Sequence, residues 1–302
     1  MGPAVPDATS LLEALRAAGV VVGAADLVWE ERDERRLARL PGGRLLWFPA
    51  NPNGRQRLER ERRVLRLIAG HCSFGAPRVL FESPEGWDVR SMVPGDSNVW
   101  GLYQRVLADS AFAARIGSAI GAILVEQHTQ IRETEITGWL PTAPDWPEPS
   151  DGLRQALTRT VDDDGLLADI DRVLARYDGT AITSADRVLV HGDLGLHNMA
   201  IDAATASVAG VFDYDGACWA DRHHDFRYLV FDAGADALLD AALAAYEPAV
   251  GVTLDRARIH LYNAACAIGF LAHRGDAAPG ARPAGRTLEE DLRWVRGALA
   301  RL

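Results

Sequence analysis

The sequence predicts an α+β protein in two unequal parts, a small mixed α/β part over residues 1–95 and a larger, mainly helical part over residues 96–302. Three observations carry this prediction. Before Gly95 helical and strand patterns alternate, whereas after about residue 99 helical patterns dominate. A chain of 302 residues is also long enough for each part to bury its own core.

The first part is predicted to run helix, hairpin, helix and strands. An amphipathic pattern predicts a helix over 10–20, and residues 26–50 predict two strands joined near the Pro-Gly-Gly turn 41–43. Apolar residues recur at helical spacing through 53–70, which predicts a second helix ending at a glycine. Two short strands follow within 77–95.

The second part is predicted to be helical apart from two strands. The apolar segment 111–131 predicts a long core helix, and four prolines make 138–149 a loop. A further helical stretch is predicted over about 151–177. The apolar strands 188–190 and 207–217 come next, and helices continue to the end of the chain.

Composition narrows the class of function. The net charge of −10 argues against a nucleic-acid partner, and all 32 basic residues are arginine, so no step can use a lysine. No apolar run is long enough to span a bilayer and no signal peptide is recognised, so we expect a cytoplasmic protein without a membrane partner. The three cysteines are too dispersed for a disulfide framework or a metal site and are expected to be reduced.

Polar residues are concentrated just after the buried strand 188–190. His191, Asp193 and Asn198 follow it within eight positions, and the returning strand should deliver Asp213 close to Asn198. A small number of oxygen ligands with room for water suits Mg²⁺ bound to phosphates better than a dedicated Ca²⁺ site. As a set at this spacing, these residues favour chemistry over a simple turn.

The spacing His-Gly-Asp, four residues, Asn, then Asp-Tyr and a further Asp resembles the catalytic and metal loops of protein-kinase-like phosphotransferases. With glycine in second position and "DYDGACWADRHHDFRYL" following, it is specifically similar to the aminoglycoside phosphotransferase and choline-kinase-like family. The resemblance is strong over 188–230 and moderate over 55–95. It implies a bilobal protein-kinase-like fold, with a small α/β N-lobe that binds nucleotide and a larger, mainly helical C-lobe that binds substrate.

The resemblance also implies a role for each matching residue. Asp193 is expected to be the catalytic base that accepts or orients a substrate hydroxyl. Asn198 and Asp213 are expected to hold Mg²⁺, which neutralises charge on the phosphoryl oxygens. His191 and Asp225 are expected to brace the catalytic loop by hydrogen bonds.

In the N-terminal part the resemblance implies a site for ATP or GTP. "ERRVLRLI" is similar to the Glu-x-x-x-Leu helix of the family, which makes Glu61 the glutamate that pairs with a strand lysine. "VRSMVPG" is similar to the hinge between lobes, so backbone groups of Ser91, Met92 and Val93 are expected near the adenine.

Two parts of the family pattern are missing. The hairpin 28–40 has no glycine for a phosphate-covering loop and carries four carboxylates, which are unfavourable beside a triphosphate unless they pair with the interleaved arginines. Trp47 stands where relatives carry the strand lysine. An arginine is expected to supply the missing charge, and the candidates are Arg35, Arg36, Arg39 and Arg44. Strand alternation puts Arg44 on the face opposite Trp47, which favours the preceding strand, with Arg39 included among the nucleotide-binding residues.

Three hypotheses follow for the function. The first is an O-phosphotransferase that moves the γ-phosphate of ATP or GTP to a hydroxyl of an antibiotic-like, aminoglycoside-like or metabolite acceptor. The second is a kinase-fold protein with altered or lost catalysis that acts as a ligand-binding module, and the third is an unrelated hydrolase. The acceptor is expected at the C-lobe, where the acidic residues 289–291 or the Trp-rich loop 138–149 are candidate contacts.

Overall fold

The structure, a computed structural model, describes residues 8–32, 34–202, 204–230, 236–275 and 277–302. The α-helices in these ranges are α1 (Ala8–Ala17), α2 (Pro52–His71), α3 (Val99–Ala108), α4 (Ser110–Gln130), α5 (Glu133–Ile136), α6 (Ser150–Leu157), α7 (Asp164–Asp178), α8 (Asp236–Val250), α9 (Arg256–His273) and α10 (Leu288–Leu299). The strands are β1 (Trp29–Arg32), β2 (Arg35–Leu40), β3 (Arg44–Pro49), β4 (Val79–Glu82), β5 (Asp88–Ser91), β6 (Arg187–Val190), β7 (Met199–Asp202), β8 (Ser207–Val211) and β9 (Cys218–Asp221).

The N-terminal strands form one antiparallel sheet in the order β1-β2-β3-β5-β4. The two strands predicted over 26–50 and joined near 41–43 are confirmed as β2 and β3, but the prediction missed a third strand, β1, that precedes them. Arg32 pairs with Arg35, so the chain reverses between them, upstream of the predicted turn at 41–43. Residues 30–36 are all charged. This run therefore has no apolar alternation to indicate where one strand ends and the next begins.

Helix α2 confirms the strongest helical pattern of the N-terminal part. Asn51 caps it by accepting a hydrogen bond from the Gly54 N–H at 2.8 Å, and Pro52 occupies the first helical position. Its buried face carries Val64, Leu65 and Ile68, which pack into the large core of the C-terminal part. The same face buries Glu61, a charged residue that needs a partner there.

Helices α4 and α8 pack along each other in the centre of the C-terminal part. The long helix predicted over 111–131 is confirmed as α4, but the single stretch over 151–177 was wrong. It is divided into α6 and α7, because the Asp163 carboxylate accepts from the Leu166 N–H at 3.0 Å and starts a new helix.

Two small sheets hold the polar-tipped strands. Strand β6 pairs with β9, and β7 pairs with β8 in a hairpin. The strand predicted over 207–217 stops earlier, at Val211, because Asp213 adopts the left-handed conformation with φ 71° and the chain leaves the sheet. A 3-10 turn over Tyr214–Gly216 follows.

The predicted boundary near Gly95 lies where the chain meets the β7–β8 hairpin. Asp96 and Ile201 exchange both backbone hydrogen bonds at 2.8 Å. The division into residues 1–95 and 96–302 stays a prediction. Cys72, Cys218 and Cys266 are free thiols, as expected.

Within the described ranges, no single helix is both long and apolar enough to cross a membrane. Helices α3 and α4 are long and apolar enough only when they are taken together, and they are bent by 119° at the break between them.

Candidate active site

The turn after β6 places Asp193 at the centre of a hydrogen-bonded loop. Its Oδ2 atom accepts from the Asn198 side-chain amide at 3.0 Å and lies 3.1 Å from His197 Nε2. The Asn198 amide also donates to the Asp193 carbonyl at 2.9 Å, which closes the loop on itself. Because both partners use Oδ2, the Oδ1 atom is the one left for a substrate, and the side chain is 46% exposed.

The surroundings of Asp193 keep its carboxylate ionised. Burial by itself would raise its pKa, but the hydrogen bond from His197 and the charges of nearby histidines and Arg227 lower the pKa of Asp193 to about 2. For His197, burial lowers the pKa but the bond to Asp193 outweighs it, so the pKa of His197 lies above its ordinary value. The pair therefore holds a fixed acceptor at neutral pH.

Asp225 braces the backbone of this loop from beneath. Fully buried, it accepts from the N–H groups of His191, at 2.9 Å to its Oδ2, and Gly192, at 3.2 Å to its Oδ1. Gln127 donates to it at 2.8 Å, and His128 Nε2 lies 3.1 Å away. Burial raises the pKa of Asp225, yet His128 and these donors lower it overall, so a charged group is anchored there.

His191 connects the catalytic loop to the segment before Asp213. Its Nδ1 accepts from the Asp193 N–H at 3.2 Å, so Nε2 carries the proton and donates to the Phe212 carbonyl at 3.0 Å. The imidazole lies 4.4 Å from the Tyr214 ring, and no part of the His191 side chain reaches solvent. The geometry supports the bracing roles predicted for His191 and Asp225, which stay predictions.

Gly192 is required by its backbone and by its neighbour. It has φ +87°, and a Cβ there would lie 2.3 Å from the Gly216 carbonyl oxygen. We expect Gly192→Ala to lower the free energy of unfolding by at least about 2 kcal/mol, because the backbone strain and the collision add. Chemical denaturation measures the loss. The control Gly152→Ala, in α6 with open space around its Cα, should be neutral or stabilising by up to about 1 kcal/mol, and equal effects of both variants would contradict this reading.

The turn after β8 brings Asp213 beside Asn198. The Phe212 N–H donates to the Asn198 carbonyl at 3.0 Å. Asn198, just before β7, and Asp213, just after β8, therefore lie at the same end of the hairpin. The side chain of Asn198 uses its nitrogen on Asp193, which leaves its oxygen for a cation. The predicted pair of oxygen ligands is therefore brought together.

A guanidinium group already lies on Asp213. Arg35 at the start of β2 binds both oxygens of Asp213, each at 2.7 Å, and one oxygen of Asp215, also at 2.7 Å. This is a bidentate, charge-assisted contact in a partly buried place. Burial and the neighbouring charge of Asp213 raise the pKa of Asp215 to about 7 even though Arg35 opposes this. Arg35 alone therefore does not balance the negative charge of Asp213 and Asp215.

The residues present fit a magnesium ion that brings its own phosphate ligands. Arg35 stands in for a cation at Asp213, which shows that the site holds positive charge. No group of three or more His, Cys, Asp or Glu side chains in the described ranges could hold a metal ion. One amide oxygen and one carboxylate, completed by phosphate and water, match the ordinary environment of Mg²⁺ in nucleotide enzymes.

Glu61 joins the N-terminal sheet to the same turn. Its Oε1 accepts from the Tyr214 N–H at 3.1 Å, next to Asp213, and its Oε2 forms a buried ion pair with Arg90. The charge that replaces the strand lysine at Glu61 therefore comes from β5, not from the preceding strand as predicted. The reason is register: Leu45 pairs with Arg90, so Arg90 and Trp47 share one face of the sheet, and Arg90 lies 5.4 Å from the indole centroid.

This arrangement agrees with a family model of phosphotransferase enzymes, which matches residues 27–262. The chain belongs to this phosphotransferase enzyme family. The match spans most of the chain and includes the hairpin, Glu61, the catalytic loop and the turn with Asp213. No curated protein sequence matches the phosphotransferase.

Solved structures show the same fold. The GDP complex of wild-type aminoglycoside 2'-phosphotransferase-IIIa is 17% identical with a TM-score of 0.68, covering 91% of this chain and 92% of its own. The apoenzyme of a macrolide 2'-phosphotransferase from Brachybacterium faecium is 18% identical with a TM-score of 0.64, covering 96% and 97%. The streptomycin–ATP complex of APH(2")-IIa is 14% identical with a TM-score of 0.67, covering 98% and 97%. The likeness confirms the bilobal fold with a small N-lobe and a larger helical C-lobe.

In the segment predicted to be the hinge, two backbone N–H groups already have partners within the protein. The N–H of Ser91 donates to the Arg78 carbonyl at 2.9 Å and that of Met92 to the Gly43 carbonyl at 2.7 Å. Of the three predicted residues, Val93 is therefore the candidate for a backbone N–H that binds the adenine, and the prediction of backbone contacts at 91–93 stays a prediction. Arg39 is exposed with its guanidinium 3.7 Å from the Met92 sulfur, so it lies beside the hinge and away from Glu61.

Three carboxylates of the acidic hairpin pair with arginines, two within the hairpin and one in α2. Arg36 binds Glu31 at 2.9 Å and Arg57 binds Glu34 at 2.7 Å, while Glu30 pairs with Arg32. The carboxylates of these three pairs are thereby balanced before any phosphate approaches.

Several residues of the site were not predicted from the sequence. They are His197 at Asp193, Arg227 beneath Gly192, Gln127 and His128 at Asp225, Asp215, and Arg90 at Glu61. His197 lies inside the motif, and its spacing of four from Asp193 was a readable signal. The others come from distant segments, and the local pattern around them resembles ordinary helix or strand sequence.

Proposed function

We propose that this phosphotransferase moves the γ-phosphate of ATP or GTP to a hydroxyl group of a small molecule, with Asp193 as the base and with Asn198 and Asp213 as the magnesium ligands. The observation that carries the proposal is the convergence of these three side chains with Glu61 bound to the Tyr214 N–H. Structural relatives complexed with GDP or with ATP support a nucleotide co-substrate.

Asp193 would act mainly by orienting the acceptor hydroxyl. A carboxylate with a pKa of about 2 is a weak base, so proton transfer comes late, when the oxygen–phosphorus bond has largely formed. Little basicity is needed, because the transition state of phosphoryl transfer is loose and positioning supplies most of the catalysis. His197 and Asn198 hold Oδ2, which directs Oδ1 toward the hydroxyl.

The work of the missing strand lysine would be divided between two arginines. Arg90 pairs with Glu61 and so holds the helix α2 glutamate that supports the turn at Asp213. Arg35 lies at the metal turn, within reach of phosphate oxygens that would enter there. When bound, Mg²⁺ supplies charge neutralisation at the phosphoryl oxygens. The arginines supply the rest, since guanidinium groups bind phosphate bidentately.

A cavity of about 350 Å³ in the helical part of the chain is the candidate acceptor site. Its walls come from α3, α9 and α10, and α3 contacts the turn that carries Asn198. Asn263 in its lining donates to the carbonyl of Arg227, whose guanidinium binds the Gly192 carbonyl. The lining of the cavity is therefore linked to the loop that presents Asp193 through Asn263 and Arg227.

The lining of this cavity favours a neutral or anionic acceptor with apolar surface over a polycation. Its described residues include three arginines and one carboxylate, together with the rings of Trp100, Tyr103 and Trp294. The one carboxylate, Glu290, is held in the helix cap by Thr287. The three arginines are paired as well, with Asp291, Glu289 and Asp236. A polycation would thus find no free carboxylate among the described lining residues.

Among the acceptor contacts predicted from the sequence, Glu290 lines this cavity, and several of the others already have partners within the protein. Among residues 289–291, Glu289 pairs with Arg293 at 2.7 Å, and Asp291 is buried against Arg274 and Arg286. In the Trp-rich loop, the Trp139 ring lies under Arg63 and Trp146 packs on Phe270. Each of these groups is therefore already in contact with a partner within the protein.

A nucleotide-turnover assay tests the proposal. Purified protein with Mg²⁺ and ATP or GTP is offered three acceptor panels: macrolide-like, aminoglycoside-like and small amino-alcohol or sugar compounds, with phosphorylated product detected by mass spectrometry. We expect Mg²⁺-dependent product from a neutral, largely apolar hydroxylated compound and at least tenfold lower kcat/KM for polycations. Nucleotide binding without any product would instead favour a second function.

That second function is a ligand-binding module with altered or lost catalysis. The observation that favours it is the occupation of Asp213 by Arg35 in a hairpin that lacks glycine. A module of this kind would bind the acceptor, with or without nucleotide, and Mg²⁺ would change neither affinity. Calorimetric titration of nucleotide with and without Mg²⁺ separates the two, because the phosphotransferase requires tighter binding with the metal.

A further inference from the structure

The proposed function, on which this step rests, requires a cation at Asp213, and the guanidinium group of Arg35 lies at that carboxylate. It contacts both Asp213 oxygens at 2.7 Å and so occupies the edge of the carboxylate that faces the hairpin. A divalent ion bound there would also be repelled by the adjacent guanidinium charge. Arg35 and a metal ion therefore exclude each other in this arrangement.

The backbone beside Arg35 is held in place. The Glu34 carbonyl accepts from the Ala50 N–H at 2.8 Å and lies against α2, where a Cβ at Gly54 would come within 2.0 Å of it. A hairpin anchored this closely has little freedom to lift as a unit. Release of Asp213 is consequently a movement of the Arg35 side chain.

The Arg35 guanidinium also lies beside an aromatic ring. Its guanidinium lies 5.8 Å from the centroid of the Trp47 ring, within the range of a cation–π contact. The side chain is 18% exposed, so it borders the cleft and remains accessible to a ligand. Trp47, which stands in place of a lysine, thus provides an aromatic surface that the Arg35 side chain can contact as it moves.

We propose that Arg35 is a latch on the cation site: it closes Asp213 in the nucleotide-free protein and leaves it when nucleotide phosphates bind its guanidinium. Phosphate oxygens offer the same bidentate geometry as a carboxylate with more negative charge. Binding of nucleotide then frees Asp213 for the metal. By reciprocity, metal and nucleotide each strengthen the binding of the other.

The latch is tested by measuring Mn²⁺ affinity with and without a non-hydrolysable nucleotide, using the electron paramagnetic resonance signal of free Mn²⁺. The full chain should bind Mn²⁺ weakly alone and at least tenfold more tightly with the nucleotide. Arg35→Ala should bind Mn²⁺ alone at least tenfold more tightly than the wild type, lose nucleotide affinity, and gain less than threefold from the nucleotide. The matched control is Arg36→Ala, which removes the next arginine of β2, paired with exposed Glu31, and should behave as the wild type.

The outcomes separate the latch from the proposed function. If the wild type binds no nucleotide with or without Mn²⁺, both are overturned. If nucleotide binds but nucleotide-free Mn²⁺ affinity is the same within twofold in the wild type and Arg35→Ala, the latch alone is overturned. Should Arg35→Ala fail to fold, Arg35→Lys replaces it: lysine keeps the charge without the fork, so at least threefold tighter Mn²⁺ binding is expected, and unchanged affinity overturns the latch.

Discussion

Asp193→Asn should lower kcat by about 1000-fold while nucleotide affinity stays within about threefold of the wild type. The substitution keeps the size of the side chain and removes the charge that orients the acceptor hydroxyl, and general-base and orienting groups typically contribute factors of about 10² to 10⁴. The amide oxygen of the variant side chain can still accept from His197 and Asn198, so the loop should keep its shape. Steady-state turnover and calorimetric nucleotide binding measure the two effects.

The control for this experiment is Asp240→Asn, which changes an exposed carboxylate of α8 that pairs with Arg256. It should leave turnover and nucleotide affinity unchanged. Transfer by Asp193→Asn within fivefold of the wild type would show that another group orients the hydroxyl, and the assignment of the base would be wrong.

Arg90→Met should lower the free energy of unfolding by about 3 to 5 kcal/mol, the usual cost of removing one partner from a buried ion pair. The side chains of Arg90 and Glu61 are only 3% and 2% exposed, so the variant leaves the Glu61 carboxylate buried without its cation. Asp88, which also binds Arg90 at 3.0 Å, keeps its second partner Arg62 at 2.6 Å. The variant therefore leaves Glu61 as the carboxylate that loses its cation. Urea denaturation measures the loss.

The double variant Glu61→Gln with Arg90→Met separates charge from packing. A buried amide in place of an unpaired carboxylate removes the charge penalty, so the double variant should be more stable than Arg90→Met alone. Arg78→Met, which changes an exposed arginine of the adjacent segment, should alter the unfolding free energy by less than about 0.5 kcal/mol. A loss below about 1 kcal/mol for Arg90→Met, or a double variant less stable than the single one, would contradict the assigned role of the pair.

Local sequence predicted the catalytic half of the site well. Asp193 and Asn198 are five residues apart, and Asp213 returns on the adjacent strand of a short hairpin, so their meeting follows from strand pairing alone. The end of β8 was placed too late, because the left-handed conformation of Asp213 is a tertiary choice that a strand pattern does not reveal.

The nucleotide half could not be predicted to the same depth. The charged run 30–36 has no apolar alternation, so its reversal into β1 and β2 was missed. The charge that replaces the strand lysine was predicted on the strand before Trp47, because strand alternation puts Arg44 on the face opposite Trp47. The sheet order β1-β2-β3-β5-β4 places β5 on the other side of β3 and brings Arg90 to Glu61 instead.

The sequence by itself determined the division into a mixed α/β part and a helical part, which depends on periodicity, and the group of polar residues after β6, which depends on spacings within one hairpin. The resemblance of that group to a known family implied the family and the bilobal fold. Only the tertiary structure decided which cation meets which carboxylate. Arg35 and Asp213 are 178 residues apart, and their contact exists because the β1–β2 hairpin folds over the turn after β8. Side-chain alternation shows which face of a strand an arginine occupies, but the opposing carboxylate is set by how the two parts of the chain pack.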